Sequence, residues 1–147
     1  VNANEAWLGL DLGSLFQALH EFNVAMIEQP LPAGNDQDLV RCLHPVPVCA
    51  DESCHQRSDI EGLRDRYEMI NIKLDKCGGL TEALAMTDVA RQFDLRIMVG
   101  CMLGSSLAME AALPVAVQAE RVDLDGPIWL AQDAEPALRY ESGEVWL

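Results

Sequence analysis

The sequence predicts an α/β fold: a partial (β/α) barrel of the TIM type, built from about six strand–helix units. Three observations carry this. Short apolar runs rich in Val, Ile and Met each close on a polar residue: "VAMIEQP", "VPVCADES", "MINIKLDK", "LRIMVGCM" and "RVDLDGP". Continuous rather than alternating apolarity fits strands buried on both faces, as in a parallel sheet wrapped by helices. The strand ends at Asn2, Glu28, Asp51, Lys73, Cys101 and Asp123 recur every 22 to 28 residues. That is the length of one unit in a barrel whose eight units occupy roughly 250 residues. Six such units do not close a barrel, so the chain is expected to be the later part of a larger protein.

The elements follow in order. "VNANEAW" reads as a strand entering a turn, and "DLGSLFQALHEF" as the helix behind it. "VAMIEQP" is the second strand, followed by a helical "DQDLVRCLH". "VPVCADES" leads into "SDIEGLRDRY", where Ser58 and Glu61 have capping-box spacing. "MINIKLDK" reads as a strand that still includes Asp75, two residues beyond Lys73 on the same face and thus its nearest ion-pair candidate. Gly78-Gly79 reads as a tight turn, with Thr81 near the start of the helix "GLTEALAMTDVARQFD". "LRIMVGCM" precedes the helix "SSLAMEAALPVAVQ", and "RVDLDGP" ends the series. In the tail, residues 131–147, Ser142-Gly143 marks a hairpin turn between short apolar stretches.

Composition narrows the partners. Lys and Arg number 10 against 24 Asp and Glu, a net charge of −14. Phosphate binding needs clustered basic side chains, so nucleic acid and anionic membranes are disfavoured, whereas a metal cation or an ammonium-bearing substrate suits the balance. No apolar run reaches the length of a membrane span. The five cysteines include no C-x-x-C pair, and Cys49, Cys54 and His55 match no common zinc spacing. Reduced thiols in the cytoplasm are the expectation. His20, His44 and His55 show no ligand spacing, and the six methionines read as core filler.

The working face of a (β/α) barrel is the C-terminal end of its strands. Asn2, Glu28 and Asp51 stand there on successive strands, with Lys73 on the next and Asp123 and Asp125 on the last. Oxygen ligands from three adjacent strands are what a hard cation such as Mg²⁺ requires. A lysine one strand further on is placed to take a proton from a ligand held by that cation. The chemistry suggested is removal of a weakly acidic proton next to a carboxylate, with the resulting enolate stabilised by the metal.

Taken together, "MIEQPLP", "CADES", "NIKLDKCGGLTEAL", "GCMLGSS" and "DLDGP" resemble the enolase superfamily, muconate-cycloisomerase subgroup, and within it the bacterial dipeptide epimerases that act on L-Ala-D/L-Glu. The resemblance covers the whole chain and runs from the family's third barrel strand to its C-terminus. It implies metal ligands at Asn2, Glu28 and Asp51, one Mg²⁺ per site and Lys73 as the catalytic base. It implies further that Asp123 and Asp125 grip the dipeptide's ammonium group, that Cys101 and Leu103 line its backbone, and that Asn4 and Glu52 orient the ligands. Similar members read "VDANE" where this chain has "VNANE"; the amide keeps an oxygen but loses a charge, so weaker metal binding is expected. The family's epimerases use a second lysine on the second strand. With that strand, the first strand and the capping domain absent, the chain alone is expected to lack turnover. Its tail is expected to pack back toward the missing capping domain, and exposed sheet edges to promote association of copies.

Each feature also has a structural reading. Glu28 and Asp51 can be ordinary strand-end carboxylates, Lys73 can snorkel to water, and Asp123 and Asp125 can form a solvated turn. The family pattern explains all these strand-end positions at once. The functional reading is therefore an epimerase interconverting L-Ala-D-Glu and L-Ala-L-Glu in murein peptide recycling. Two alternatives stand beside it: another reaction of the subgroup, such as cycloisomerisation or o-succinylbenzoate synthesis, and a non-catalytic fragment whose Asn2 marks a decayed metal site.

Overall fold

A computed structural model describes residues 1–147. Five parallel strands, β1 (Ile27–Glu28), β2 (Val48–Ala50), β3 (Met69–Ile72), β4 (Arg96–Val99) and β5 (Arg121–Val122), lie side by side in chain order. The order follows from right-handed strand–helix–strand crossovers between neighbours. The helices α1 (Leu12–Glu21), α2 (Arg57–Ile60), α3 (Leu74–Cys77), α4 (Leu80–Gln92) and α5 (Ser106–Ala116) fill the connections, and the sheet is a partial barrel. The expected sixth strand at the start of the chain is reduced to one parallel bridge, Asn2 to Glu28, because the backbone turns into left-handed conformations at Asn4 and Glu5 (φ 43° and 64°).

Alternate strand residues serve two different faces. Val48, Ala50, Ile70, Ile72, Ile97 and Val99 join the helices in a core cluster of 26 buried residues. Cys49, Met69 and Met98 point the other way and form a smaller cluster with Met26 on the concave side. A strand buried on both faces needs a continuous apolar run, which explains the pattern in the sequence. β5 departs from it: Arg121 and Val122 are exposed because no strand pairs beyond them.

Other local expectations shift as well. "DQDLVRCLH" forms a 3₁₀ turn, Gln37–Arg41, instead of an α-helix. The capping box lies two residues before the expected one: Gln56 and Asp59 exchange bonds with each other's backbone, and α2 passes into 3₁₀ at Glu61–Leu63. Asp11 caps α1 by accepting from the Ser14 amide and hydroxyl. Gly78 and Gly79 carry φ of 86° and 121° between α3 and α4, a turn that only glycine makes without strain.

The tail forms an antiparallel hairpin, β6 (Arg139–Glu141) and β7 (Glu144–Trp146), turning at Ser142-Gly143. It is tied to α5: Asp133 accepts from the Ser106 amide and hydroxyl, and Ser106 Oγ accepts from the Leu138 amide. The Tyr140 hydroxyl donates to the Leu124 carbonyl at 2.8 Å. Trp146 and Leu147 stay exposed.

Candidate active site

The chemistry-bearing side chains gather where β1, β2 and β3 end. Glu28 and Asp51 are the last residue of β1 and the first beyond β2; both are buried. Lys73 directly follows β3, and its Nζ donates to Asp51 Oδ2 at 2.6 Å. The chain becomes helical at Leu74, so Asp75 leaves the strand face, and Lys73 pairs with Asp51 rather than with Asp75 as expected. The same helical turn brings back a second ammonium. Lys76 Nζ donates to Asp51 Oδ1, to the Asp51 carbonyl at 2.7 Å and to the Asn71 carbonyl at 3.0 Å.

These contacts set the charge states. Burial pushes the Asp51 carboxyl up, but Lys76 and Lys73 together hold it below the usual carboxylate range. Burial pushes Glu28 up and the neighbouring Asp51 adds to it, while the Asn71 amide, donating to Glu28 Oε1 at 2.7 Å, opposes the rise. For Lys73 burial favours the neutral amine, yet the bond and charge of Asp51 prevail and raise its pKa. Held in this way Lys73 stays protonated, and a role as base would require the Asp51 charge to be directed elsewhere. Glu52, half-buried next to them, is pushed up chiefly by burial, and its Oε2 is buried without a partner.

Glu28 and Asp51 are two buried carboxylates side by side, a donor type that a hard cation takes, but both Asp51 oxygens are held by ammonium groups that such a cation would have to displace. No three His, Cys, Asp or Glu side chains gather at metal-binding range. A third oxygen would come from the Asn2 amide, which is exposed and accepts from the Asn4 backbone N–H at 2.9 Å. Asn4 itself is exposed.

The last strand completes the rim. Asp123 follows β5, and burial and then Asp125 push its carboxyl up, with the charge of Lys73 opposing. Asp125 accepts from Trp129 Nε1 at 3.1 Å. Both also line a cleft of about 580 Å³ between β5, α5 and the hairpin, with Leu113, Val117, Tyr140 and Val145, which includes none of Glu28, Asp51 and Lys73. The Cys101 thiol is pushed up by burial. Gly126 packs so closely on the loop after β4 that a Cβ there would lie 2.8 Å from the Met102 carbonyl oxygen. Leu103, in that loop, is 70% exposed.

Sequence reasoning missed three residues. Asn71 carried a signal: it lies two residues before Lys73 on one strand, so it shares the same face. Lys76 carried none, because only the helical turn returns it to Asp51. Gln29 sits in the left-handed region (φ 36°), fully buried, and its side-chain oxygen accepts from the Asp51 and Ser53 amides at 2.8 and 3.1 Å. Its Nε2 lies 2.8 Å from the Leu31 carbonyl and 3.0 Å from the Tyr67 hydroxyl. Gln29 thereby fixes the end of β2, and with it Asp51, against the end of β1.

All of residues 1–147 match the enolase C-terminal domain-like family. The chain belongs to that family. It is 54% identical to an L-Ala-D/L-Glu epimerase of Escherichia coli K12 over 147 residues, 100% of this chain and 46% of the relative. It is 48% identical to an N-acetyl-D-glutamate racemase of a Pseudoalteromonas species, over 99% of this chain and 46% of that one. Among solved structures, an enolase family member from Agrobacterium tumefaciens with homology to dipeptide epimerases, holding sodium and L-Ala-L-Glu, superposes with a TM-score of 0.95 at 52% identity. That match covers 99% of this chain and 44% of the other. A dipeptide epimerase from Methylococcus capsulatus, complexed with Mg and L-Arg-D-Lys, superposes at 0.88 with 31% identity, over 100% of this chain and 44% of that one. The chain therefore spans about half the length of the relatives it matches.

Proposed function

We propose that this chain is the barrel portion of a dipeptide epimerase that moves the α-proton of L-Ala-D/L-Glu. The observation that carries the reading is the convergence of Glu28, Asp51 and Lys73 at adjacent strand ends, with Asp123 within electrostatic reach of Lys73. Lys73 would take the proton from, or deliver it to, one face of the carbon next to the substrate carboxylate; inversion needs a second acid–base group on the opposite face, the part that the family resemblance gives to a lysine on the second strand. Asp123 and Asp125 would hold the dipeptide's ammonium group, and the loop carrying Cys101 and Leu103 would cover its backbone. Glu28, Asp51 and the Asn2 amide oxygen would hold Mg²⁺, which supplies positive charge to the substrate carboxylate. The place we assign to this activity is the recycling of murein peptides in the cytoplasm, in keeping with five free thiols.

A second reading is favoured by one relative. L-Ala-Glu and N-acetylglutamate are both N-acylated glutamates, the alanyl group being one carbon longer and bearing an ammonium that the acetyl group lacks, and the racemase relative is named for the latter. Asp123 and Asp125 favour the dipeptide, since a carboxylate pair without an ammonium to bind opposes an anionic ligand. The test is α-proton exchange of L-Ala-L-Glu and of N-acetyl-L-glutamate in D₂O with Mg²⁺, followed by NMR. Exchange of the dipeptide that is lost in Lys73→Ala and weakened in Asp123→Asn supports the epimerase. Exchange confined to the acetylated substrate transfers the chain to the racemase reading, and exchange that survives Lys73→Ala removes the lysine from the chemistry.

A further inference from the structure

We propose that Asn71 is a positioning residue for Glu28, held in its working orientation by the bare backbone of Gly100. The inference rests on the reading of Glu28 as a cation ligand and adds what keeps that ligand in place. Asn71 is 1% exposed, on the concave face of β3 between Met69 and Lys73. Its Nδ2 donates to Glu28 Oε1 at 2.7 Å, across the intervening strand. Its Oδ1 is buried and has no hydrogen-bond partner. An acceptor left in that state is unfavourable, so the amide at this position calls for a compensating role.

The orientation explains itself through Glu28. An ionised carboxylate only accepts, so the amide must present nitrogen to it, which turns the oxygen toward β4. There the chain offers Gly100, the only residue that leaves room. A Cβ at Gly100 would fall 2.7 Å from Asn71 Oδ1 and 2.8 Å from Nδ2, closer than any real contact of that kind. The donor is also neutral. Lys73 and Lys76 hold Asp51 by opposing its charge, as a basic residue would hold Glu28, in competition with a cation. Asn71 fixes the Glu28 carboxylate through one oxygen and leaves its negative charge and its other oxygen available.

The test is Mg²⁺ affinity of the purified chain by calorimetry, with urea unfolding in parallel, for wild type, Asn71→Ala, Gly100→Ala and the double variant. Gly100→Ala keeps the amide and displaces it, so the two single variants attack one contact by independent routes, and either suffices if the other does not fold. Each is expected to weaken Mg²⁺ binding about ten- to a hundredfold, the usual range for a residue that orients a ligand. The double variant should bind no worse than Asn71→Ala, because Gly100→Ala has nothing left to displace. Folded single variants that bind Mg²⁺ like the wild type overturn the positioning role and leave Glu28 as a ligand. A wild type without saturable Mg²⁺ binding overturns the cation site itself, and the role of Asn71 with it.

Discussion

Replacing Lys76 with methionine removes one of the two ammonium groups on Asp51 while keeping a side chain of similar length. The two charged side chains are 11% and 4% exposed, so the pair is largely shielded from water and salt. Breaking a buried pair typically costs about 3–5 kcal/mol, because a charge is left uncompensated. Here Lys73 still covers the opposite oxygen of Asp51 at 2.6 Å. The two backbone carbonyls that Lys76 also serves lose their donor. A loss of about 2–3 kcal/mol at neutral pH is expected from these opposing effects. The sign of its pH dependence follows from linkage. Asp51 is held below its ordinary value in the fold, so it contributes stability above the unfolded carboxyl pKa of about 3.9 and loses it as pH falls through the lower, folded value. Without Lys76 that depression shrinks. The gap between wild type and Lys76→Met should therefore be full at pH 7 and narrow steadily below about pH 4. Urea unfolding from pH 7 to the acid limit measures it. A gap that is constant across that range would show that Lys76 acts through packing alone and would refute the electrostatic account.

Three further outcomes are expected. Gln29→Leu keeps the volume but leaves the Asp51 and Ser53 amides and the Leu31 carbonyl short of a partner, while the Tyr67 hydroxyl keeps Asp36, so the urea midpoint should fall by the equivalent of about 3 kcal/mol. A midpoint within error of wild type would contradict the bridging role. Cys49 and Cys54 are fully buried, with burial pushing the Cys49 thiol well up and the Cys54 thiol up to about 12; neither should react with a disulfide reagent at pH 8 in the native chain, whereas the partly exposed Cys42, Cys77 and Cys101 should. Five reactive thiols without denaturant would show that the core opens. Asp133→Ala removes the acceptor that ties residue 106 to the tail, so amide exchange should speed up across the hairpin at 139–146 and stay unchanged in β2, β3 and β4. Equal acceleration in the central strands would mean that the tail is part of the cooperative core.

The sequence by itself determined the strand–helix alternation, the parallel order and the residues that stand at strand ends. These depend on local pattern: apolar runs long enough for strands buried on both faces, followed at a fixed distance by amphipathic helices. Glu28, Asp51, Lys73 and Asp123 were legible as one rim for that reason, since the ends of neighbouring parallel strands lie near each other in any such sheet. The tertiary structure alone decided how those residues are partnered. Asp51 takes Lys73 and Lys76 together because the chain turns helical after β3, and no periodicity within "NIKLDK" announces that turn. Asn71 reaches Glu28 because parallel register and the missing side chain at Gly100 align them across three strands. Asn2 is held to a single bridge, and Arg121 and Val122 are exposed, because what neighbours a strand is fixed by the assembled sheet and not by the strand's own residues. Local sequence sets which face a side chain takes; cross-strand register and the space left by neighbours set what it meets there.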